Sequence, residues 1–334
     1  MKRIIKLQFM DFWEEFNPEE HIFLKALREH YKVEISDDPE YVIYSNFSQE
    51  HLLIGHKAVK IFYIGENETP DFNLCDYALA FDWITFGDRY MRLPVYLNSE
   101  RYICATRLME HKHEFDTFPA DELTALTKRD FCSFVVSNSN GVKERENMFF
   151  ELSNYKPVNS GGRYLNNIGK SVDNKLDFER KHKFSICFEN CSHPGYTTEK
   201  LVEAFAARTV PIYWGDSEVT KVFNPYAFVN VMDFPTLEDA IERIKHIDAD
   251  DQLYMQILSE PALISEAYNS DNQYLLLVDF LRHIVEQPLE KAKRTGEGFW
   301  QATYWFRYAA YYQAYLRRPR VMIDRWKKKL GLKK

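Results

Sequence analysis

The order of apolar and polar residues predicts a strand, a helix and a second strand between residues 184 and 214. A largely apolar run at 184–188 is followed by a polar loop with Gly and Pro at 189–197, a helical pattern at about 198–208 and another apolar run at 210–214. This order is typical of a βαβ unit with parallel strands. Ligands of parallel sheets bind at the carboxyl ends of strands, so the loop at 189–197 is the first candidate site.

The same kind of pattern continues on both sides of this unit. Further strands are predicted at 5–9, 33–35, 41–44, 59–64 and 131–136, and helices from 17, at 97–118, from 143, from 237 and at 272–288. Strands that alternate with helices are typical of a parallel α/β architecture. A chain of 334 residues has room for two domains of ordinary size. We expect domains at 1–122 and 123–268, and C-terminal helices at 269–334 that pack back on the body.

The charge distribution argues against a nucleic-acid-binding protein. The net charge is -7, but residues 317–334 hold nine Lys or Arg and one acid, which leaves the rest of the chain strongly acidic. On a helix, Met322, Trp326 and Leu330 of this tail share one stripe surrounded by cations. That pattern predicts an interfacial helix on an anionic inner-membrane surface, with a disordered basic tail as the alternative.

The cellular location is predicted from what the sequence lacks. No signal-peptide pattern opens the chain, and no apolar run is as long as a membrane span. Five cysteines are an odd number and fit reduced thiols. We therefore expect a cytoplasmic protein that is peripheral on the inner face of the membrane.

The aromatic share of 16% is high, and aromatic faces are frequent in sugar-binding surfaces.

Three strings in the predicted βαβ unit carry a family resemblance. They are CFEN at 187–190, GYTTEK at 195–200 and PIYWG at 211–215, and residues 217–231 continue them. This stretch resembles the donor-binding core of the α1,3-fucosyltransferases of glycosyltransferase family 10, and the resemblance covers about residues 59–96 and 131–265. It implies a GT-B fold, in which two Rossmann-like domains face each other across a cleft. By the same resemblance, the first domain binds the acceptor and the second binds GDP-fucose.

The resemblance also implies a catalytic base in the first domain. Gly65-Glu66-Asn67 follows the predicted strand at 59–64 and matches the family's string at its proposed base, so Glu66 takes that role. Glu68 is the local competitor. Without the resemblance, both acids would be interpreted as solvated loop residues.

The donor site is implied in the same way. Arg145 is the best match to the family's Arg after its Phe-Val-x-Ser-Asn string. The loop before it is about one residue longer than in the family, so Lys143 is the alternative. The resemblance places Arg145 and Lys200 at the diphosphate and Glu199 at the ribose hydroxyls. Further donor contacts carried over by position are Asn190, Tyr196 and, as a secondary candidate, Glu189. His193 departs from the family pattern and receives no role.

No metal site is predicted. Asp248-Ala-Asp250 has the D-x-D form by which many glycosyltransferases hold a cation, but it lies in an acidic turn after a predicted helix. Asp216 is interpreted as a loop acid. His111, His113 and Glu114 lack the spacing of a ligand face. The family's chemistry is thought to need no metal, so we expect no cofactor.

These features together predict an enzyme, an inverting α1,3- or α1,3/4-fucosyltransferase. It would move L-fucose from GDP-β-L-fucose to N-acetylglucosamine of an N-acetyllactosamine-type glycan, in Lewis-type antigens, O-antigen or capsule. The alternatives are another GT-B transferase with a different nucleotide sugar, or an inactive glycan-binding protein on the same fold.

Arg89 and Arg92 are expected to be structural. The aromatic stretch at 298–315 is expected to pack between the domains, with an acceptor platform or an interfacial belt as alternatives.

Overall fold

The computed structural model describes residues 2–54, 57–114, 125–137, 139–296, 299–317 and 322–323. The predicted domain boundary near 118–122 lies outside these residues, as do Trp326 and Leu330 of the basic tail. The domain limits and the interfacial helix therefore stay predictions.

The first half of the chain forms a six-stranded parallel sheet. Its strands are β1 (Ile4–Met10), β2 (Lys32–Ile35), β3 (Tyr41–Tyr44), β4 (Val59–Tyr63), β5 (Tyr77–Ala80) and β6 (Tyr90–Arg92). Their order is β2-β1-β3-β4-β5-β6, so the carboxyl ends of β1, β3 and β4 lie side by side. Strands β3, β4 and β5 are buried along their whole length, because helices and loops cover both faces of the sheet.

The helices of this half begin later than the sequence pattern predicts. The Asn17 side chain accepts a hydrogen bond from the Glu19 amide at 3.1 Å, but the turn that it caps is a short 3-10 helix, Pro18–Glu20. Helix α1 (Ile22–His30) follows with its own first turn at Ile22. The helix predicted at 97–118 is α2 (Glu100–Glu110), preceded by a 3-10 turn, Val95–Leu97.

The second half forms a five-stranded parallel sheet. Its strands are β7 (Asp130–Phe134), β8 (Val158–Ser160), β9 (His182–Phe188), β10 (Val210–Trp214) and β11 (Val229–Asn230), in the order β11-β10-β9-β7-β8. All seven residues of the central strand β9 are buried. The helices are α3 (Lys143–Tyr155), α4 (Lys175–Glu179), α5 (Glu199–Ala206), α6 (Leu237–Ala249) and α7 (Asp251–Ser259). The predicted βαβ unit is therefore confirmed, with β9 and β10 in parallel register.

The C-terminal helices pack on the first half. They are α8 (Ser270–Glu286), α9 (Leu289–Ala292) and α10 (Phe299–Tyr311). Helix α8 packs on α1, and its Val285 carbonyl accepts a hydrogen bond from Arg3 at 2.9 Å. One apolar core contains residues of the first sheet, of α8 and of α5 from the second half, so the two halves share a packed interior.

The expected position of the aromatic helix between the domains is wrong. Its contacts lie with the first half: Tyr304 donates to Asp71 and Tyr312 to Glu50, each at 2.8 Å. Tyr312 and Ala309 are buried against Leu52, which lies in the 3-10 turn Glu50–Leu53. An apolar stretch without alternation shows that a segment packs, but not which neighbour it packs on.

Candidate active site

The predicted base and most predicted donor contacts lie on opposite walls of one cleft. Glu66 follows β4 of the first sheet, whereas Asn190, Tyr196, Glu199 and Lys200 follow β9 of the second. All five line a cavity of about 780 Å³. The carboxyl ends of parallel strands from the two sheets thus face each other, which is where α/β proteins bind ligands.

A second cavity of about 500 Å³ adjoins the first on the side of the second sheet. Arg145, in the first turn of α3, lines this second cavity together with Asn190, Glu199 and Lys200. Its guanidinium is buried, and its Nη1 donates to the Asn190 side chain at 3.1 Å. The alternative cation, Lys143, is exposed and is not among the residues that line either cavity. The structure therefore favours Arg145 over Lys143.

Of the two acids considered as the base, Glu66 lines the cavity and Glu68 does not. Desolvation by the cleft walls raises the pKa of Glu66, although the nearby Lys200 ammonium opposes this shift. Its carboxylate stays partly exposed at the cavity. Glu68 instead accepts a hydrogen bond from the Asn46 side chain and is not among the lining residues. A carboxylate with a raised pKa at the cleft surface fits the role of a general base.

The secondary candidate Glu189 lies beneath the cleft rather than in its wall. Its side chain is fully buried and accepts hydrogen bonds from the Thr198 amide at 2.7 Å, the Thr198 hydroxyl at 2.7 Å and Lys200 Nζ at 3.0 Å. Burial raises the pKa of Glu189, and Lys200 partly offsets the rise. Glu189 therefore holds the first turn of α5 and its lysine, and it is a positioning residue in this geometry.

Charged groups at the start of α5 keep one another ionised. Burial alone would lower the pKa of Lys200, but the carboxylates of Glu189 and Glu199 outweigh burial and raise it. Conversely, Lys200 and Lys175 outweigh the desolvation of Glu199 and lower its pKa. Lys200 is therefore a cation and Glu199 an anion at neutral pH. The N-terminus of α5 adds the positive end of the helix dipole at this point.

Sequence reasoning missed a buried ionic group next to these residues. Lys175 Nζ lies 2.7 Å from Glu203, one helical turn after Glu199, and 3.6 Å from Glu179. Arg101 of the first half lies 3.4 Å from the same Glu203. Glu199 and Glu203 are four residues apart, so on a helix they lie on the same face. This spacing could have revealed the acidic pair in the sequence. Its cationic partners come from segments too distant in sequence to be paired by pattern.

The loop between β9 and α5 is fixed against the first half. His193 Nε2 lies 3.0 Å from Asp82 Oδ1, and Asn67 Nδ2 donates to Cys191 Sγ at 3.0 Å. Asp216, predicted to be a loop acid, is buried and accepts hydrogen bonds from the Gly195 amide and the Thr197 hydroxyl. His193 and Asp216 therefore hold in place the loop that carries Tyr196.

Gly195 is the position where this loop tolerates least change. Its φ is +85°, and a Cβ atom there would lie 2.6 Å from the Phe81 carbonyl oxygen of the first half. We expect Gly195→Ala to lower the free energy of unfolding by about 1–3 kcal/mol, from backbone strain and this clash. Gly169→Ala is the matched control, because Gly169 has a similar φ of +89° but open space around it. Equal melting temperatures for the two variants would contradict the clash.

The remaining candidates have structural partners. Asp248 is buried at the end of α6 and pairs with Lys183 at 2.9 Å, whereas Asp250 caps α7 through the amides of Gln252 and Leu253. Arg89 and Arg92 donate to backbone carbonyls of the first half. His111 pairs with Glu114 at the surface. Within the described part of the chain, no group of three or more His, Cys, Asp or Glu has the geometry to hold a metal ion.

No helix among the described residues combines the length and the apolar composition needed to cross a membrane.

Two family models match the chain in the order of its two halves. Residues 7–98 match the alpha-(1,3)-fucosyltransferase FucT N-terminal domain. Residues 125–259 match the C-terminal model of glycosyltransferase family 10 (fucosyltransferase).

Curated relatives point to the same family. The alpha-(1,3)-fucosyltransferase FucT of Helicobacter pylori is 35% identical over 266 residues, which are 72% of this chain and 55% of the relative. Human 4-galactosyl-N-acetylglucosaminide 3-alpha-L-fucosyltransferase 9 is 31% identical over 133 residues, 39% of this chain and 36% of the relative. The chain thus spans about half of the bacterial relative's length and less of the human one.

Solved structures extend the match over both domains. A crystal structure of an alpha1,3-fucosyltransferase with GDP-fucose superposes with a TM-score of 0.71 at 30% identity, over 86% of this chain and 92% of that one. A structure of such an enzyme described without a ligand gives a TM-score of 0.74 over 86% and 91%. The predicted GT-B fold is confirmed. Because identity and fold both persist across the two halves, the chain belongs to glycosyltransferase family 10, the fucosyltransferase family.

Proposed function

We propose that this chain transfers L-fucose from GDP-β-L-fucose to the 3-hydroxyl of N-acetylglucosamine, with inversion at the fucose anomeric carbon. The observation that carries this proposal is a single cavity in which Glu66 on one wall faces Lys200 and Glu199 on the other. The donor follows from the solved relative with GDP-fucose, and the N-acetyllactosamine-type acceptor from the name of the human relative. Lewis-type antigens, O-antigen or capsule are the glycans where such a product belongs.

The donor would lie across the two cavities. Arg145 and Lys200 would neutralise the diphosphate, since both cations line the second cavity and Lys200 also lines the first. Ionised Glu199 lies beside Lys200 and would accept hydrogen bonds from the two ribose hydroxyls. Asn190 lines both cavities and would contact the donor where they meet, with Tyr196 on the fucose side.

The chemistry is a direct displacement. Glu66 takes the proton of the acceptor hydroxyl, and the freed oxygen attacks the anomeric carbon from the face opposite GDP. The bond between that carbon and the diphosphate oxygen breaks, and GDP leaves with the electron pair. A β-linked donor thus gives an α-linked product. Negative charge develops on the diphosphate as the bond breaks, and fixed cations stabilise it most at that moment.

Mass spectrometry after incubation with GDP-fucose and N-acetyllactosamine tests this function. The expected result is a glycan heavier by one deoxyhexose, together with released GDP. Turnover of a UDP-sugar with release of UDP would instead indicate a different nucleotide-sugar transferase. Glycan binding without turnover of any donor would indicate a catalytically inactive binding protein.

Chelation should not change the rate of transfer. The proposed site assigns neutralisation of the leaving diphosphate to Lys200 and Arg145, which are fixed parts of the protein. We therefore expect equal initial rates with and without EDTA, measured as GDP release at saturating donor and acceptor. A rate that collapses with EDTA and returns with Mg²⁺ or Mn²⁺ would contradict this assignment.

A cytoplasmic location on the inner membrane face is part of the proposal. Its basis is the charge pattern of residues 317–334, nine cations against one acid. Sedimentation with vesicles of anionic and of neutral lipid tests it, with binding expected to the anionic vesicles alone.

A further inference from the structure

The acceptor end of the large cavity is walled by three aromatic side chains that the chemistry above does not use. They are Trp13, Phe16 and Phe47. Trp13 and Phe47 leave 41% and 44% of their surface exposed. Large apolar side chains that stay exposed inside a concave site are typical of ligand-binding surfaces.

The positions of these residues follow from the order of the strands. Trp13 lies in the loop after β1, Phe47 in the loop after β3, and Glu66 in the loop after β4. Strands β1, β3 and β4 are neighbours in the sheet, so the two aromatic loops and the proposed base share one edge. A sugar whose hydroxyl reaches Glu66 therefore has its remaining rings beside this wall.

The wall is supported from the core. The Trp13 ring meets Phe16 edge-on at 5.0 Å, Phe16 stacks on Phe12 at 3.8 Å, and Phe12 lies nearly parallel to Tyr63 at 6.1 Å. Tyr63 is fully buried at the end of β4, three residues before Glu66. The stack thus packs against the strand that precedes the base.

A buried imidazole beside the stack has unmet hydrogen-bonding capacity. His21 lines the cavity and is 4% exposed, and neither of its ring nitrogens has a hydrogen-bond partner among the described residues. Burial lowers the pKa of His21 to about 3, so the ring is neutral and offers one donor and one acceptor. Buried polar atoms without partners are rare in folded proteins, and a sugar hydroxyl would satisfy one of these two nitrogens.

The charges at this end of the cavity are negative. Glu15, Glu20 and Glu100 line it, and of these Glu100 pairs with Lys25. The lining cations Arg101 and Lys200 lie beside Glu203 and Glu199 of α5. An acceptor that brings a carboxylate here meets like charges, which costs binding energy. A neutral acceptor meets no such cost.

We infer that Trp13 is the stacking platform for a neutral sugar ring of the acceptor, with His21 hydrogen-bonded to one of its hydroxyls. This deepens the proposed function and rests on it. The apolar C–H face of a hexose carries a slight positive charge and fits the negative face of an indole ring. The ring in question is the hexose next to the reacting N-acetylglucosamine, and an acidic sugar attached to that hexose is selected against.

The first test compares steady-state kinetics of Trp13→Ala and Trp13→Phe. We expect Trp13→Ala to raise the KM for N-acetyllactosamine about three- to tenfold, while the KM for GDP-fucose is unchanged. Trp13→Phe should recover most of the affinity, and Tyr226→Ala should change neither KM, since Tyr226 is exposed and lies outside both cavities. An unchanged acceptor KM in a folded Trp13→Ala variant would overturn the inference.

The second test measures quantities that would not change if His21 and the acids were only structural. His21→Phe keeps the ring and removes the unsatisfied nitrogens, so it should raise the acceptor KM without lowering the melting temperature. A Glu15→Gln/Glu20→Gln variant should narrow the preference for neutral over sialylated N-acetyllactosamine. An acceptor KM that His21→Phe leaves unchanged, or a charge preference that the double Gln variant leaves unchanged, would contradict the corresponding contact.

Intrinsic fluorescence separates failure of this inference from failure of the proposed function. N-acetyllactosamine added with GDP should change the emission of the wild-type chain but not that of Trp13→Phe. If that difference appears and no fucose is transferred, the platform stands and the transferase proposal fails. If fucose is transferred and Trp13→Phe shows the same emission change as the wild type, only the platform fails.

Discussion

Glu66→Gln should lower kcat for fucose transfer about 10²–10⁴-fold, the usual contribution of a general base. The amide keeps the size and the hydrogen bonds of the side chain but cannot take a proton. GDP affinity should stay within a factor of two to three, because Glu66 belongs to the wall of the first domain and the proposed nucleotide contacts to the second. Initial rates of GDP release and calorimetric titration with GDP measure the two quantities.

The matched control is Glu68→Gln, the same change two residues away. Glu68 pairs with Asn46 outside the lining of the cavity, so this variant should keep near wild-type kcat. Because Glu66 is partly exposed, both variants should melt within a few degrees of the wild-type chain. A Glu66→Gln variant with wild-type kcat, or a Glu68→Gln variant with the larger loss, would move the base to another residue.

The pH dependence of kcat/KM is an independent test of the same base. Desolvation raises the pKa of Glu66 above the ordinary value of a glutamate. A general base acts only when ionised, so kcat/KM should fall as the pH decreases through this raised pKa. The acid limb should therefore lie at higher pH than an ordinary glutamate would give, and it should be absent from the residual activity of Glu66→Gln. An acid limb that persists unchanged in that variant would belong to another group.

Much of the fold could be predicted because strands of a parallel sheet are buried on both faces. That burial requires continuous apolar runs, and β9 and β10 lie where such runs stand in the sequence. Helix starts were less precise. Asn17 does cap a turn, but the turn is a 3-10 helix, and α1 begins four residues later than Pro18. A cap motif shows that a helical turn begins, and tertiary packing decides how far it continues.

The position of a site residue was predictable where it follows from a strand–loop–helix unit. Glu66 lies in the loop after β4 and Lys200 in the first turn of the helix after β9, and both line the cleft. Their proposed roles came from the family resemblance. Glu189 shows the limit: a polar residue at a strand end is a candidate ligand, but its side chain turns inward to hold Thr198 and Lys200. Which way a loop side chain points depends on the packing of the loop, which a sequence pattern does not contain.

Contacts between the two halves could not be predicted from the sequence. Asp82 meets His193, and Arg101 meets Glu203, across about a hundred residues of chain. Each member alone is an ordinary polar residue, and only the relative placement of the two sheets makes a pair of them. The Trp13 wall is a similar case, because it depends on the adjacency of β1, β3 and β4 rather than on any local motif.

Lys200→Met should impair both donor binding and stability, and the two effects have different origins. Loss of a cation aimed at the leaving diphosphate should lower kcat by about 10²–10³-fold and weaken GDP binding. The same change leaves the fully buried Glu189 without its ammonium partner. Breaking a buried ion pair from one side costs roughly 3–5 kcal/mol, so the free energy of unfolding should fall by an amount of that order. Lys143→Met, which removes an exposed cation outside both cavities, should show neither loss.

A second substitution at Glu189 separates the two roles of Lys200. In Lys200→Met/Glu189→Gln the buried Glu189 charge is removed together with its partner, and the glutamine oxygen can still accept the Thr198 amide. Glu199 loses Lys200 but keeps the nearby Lys175. We expect this double variant to unfold with nearly the wild-type free energy while its GDP affinity stays as low as that of Lys200→Met. Stability that does not return would mean that the ammonium does more for the fold than neutralise Glu189. GDP affinity that returns with stability would mean that Lys200 acts on the nucleotide only by keeping α5 in place, and the cation at the diphosphate would then be Arg145 alone.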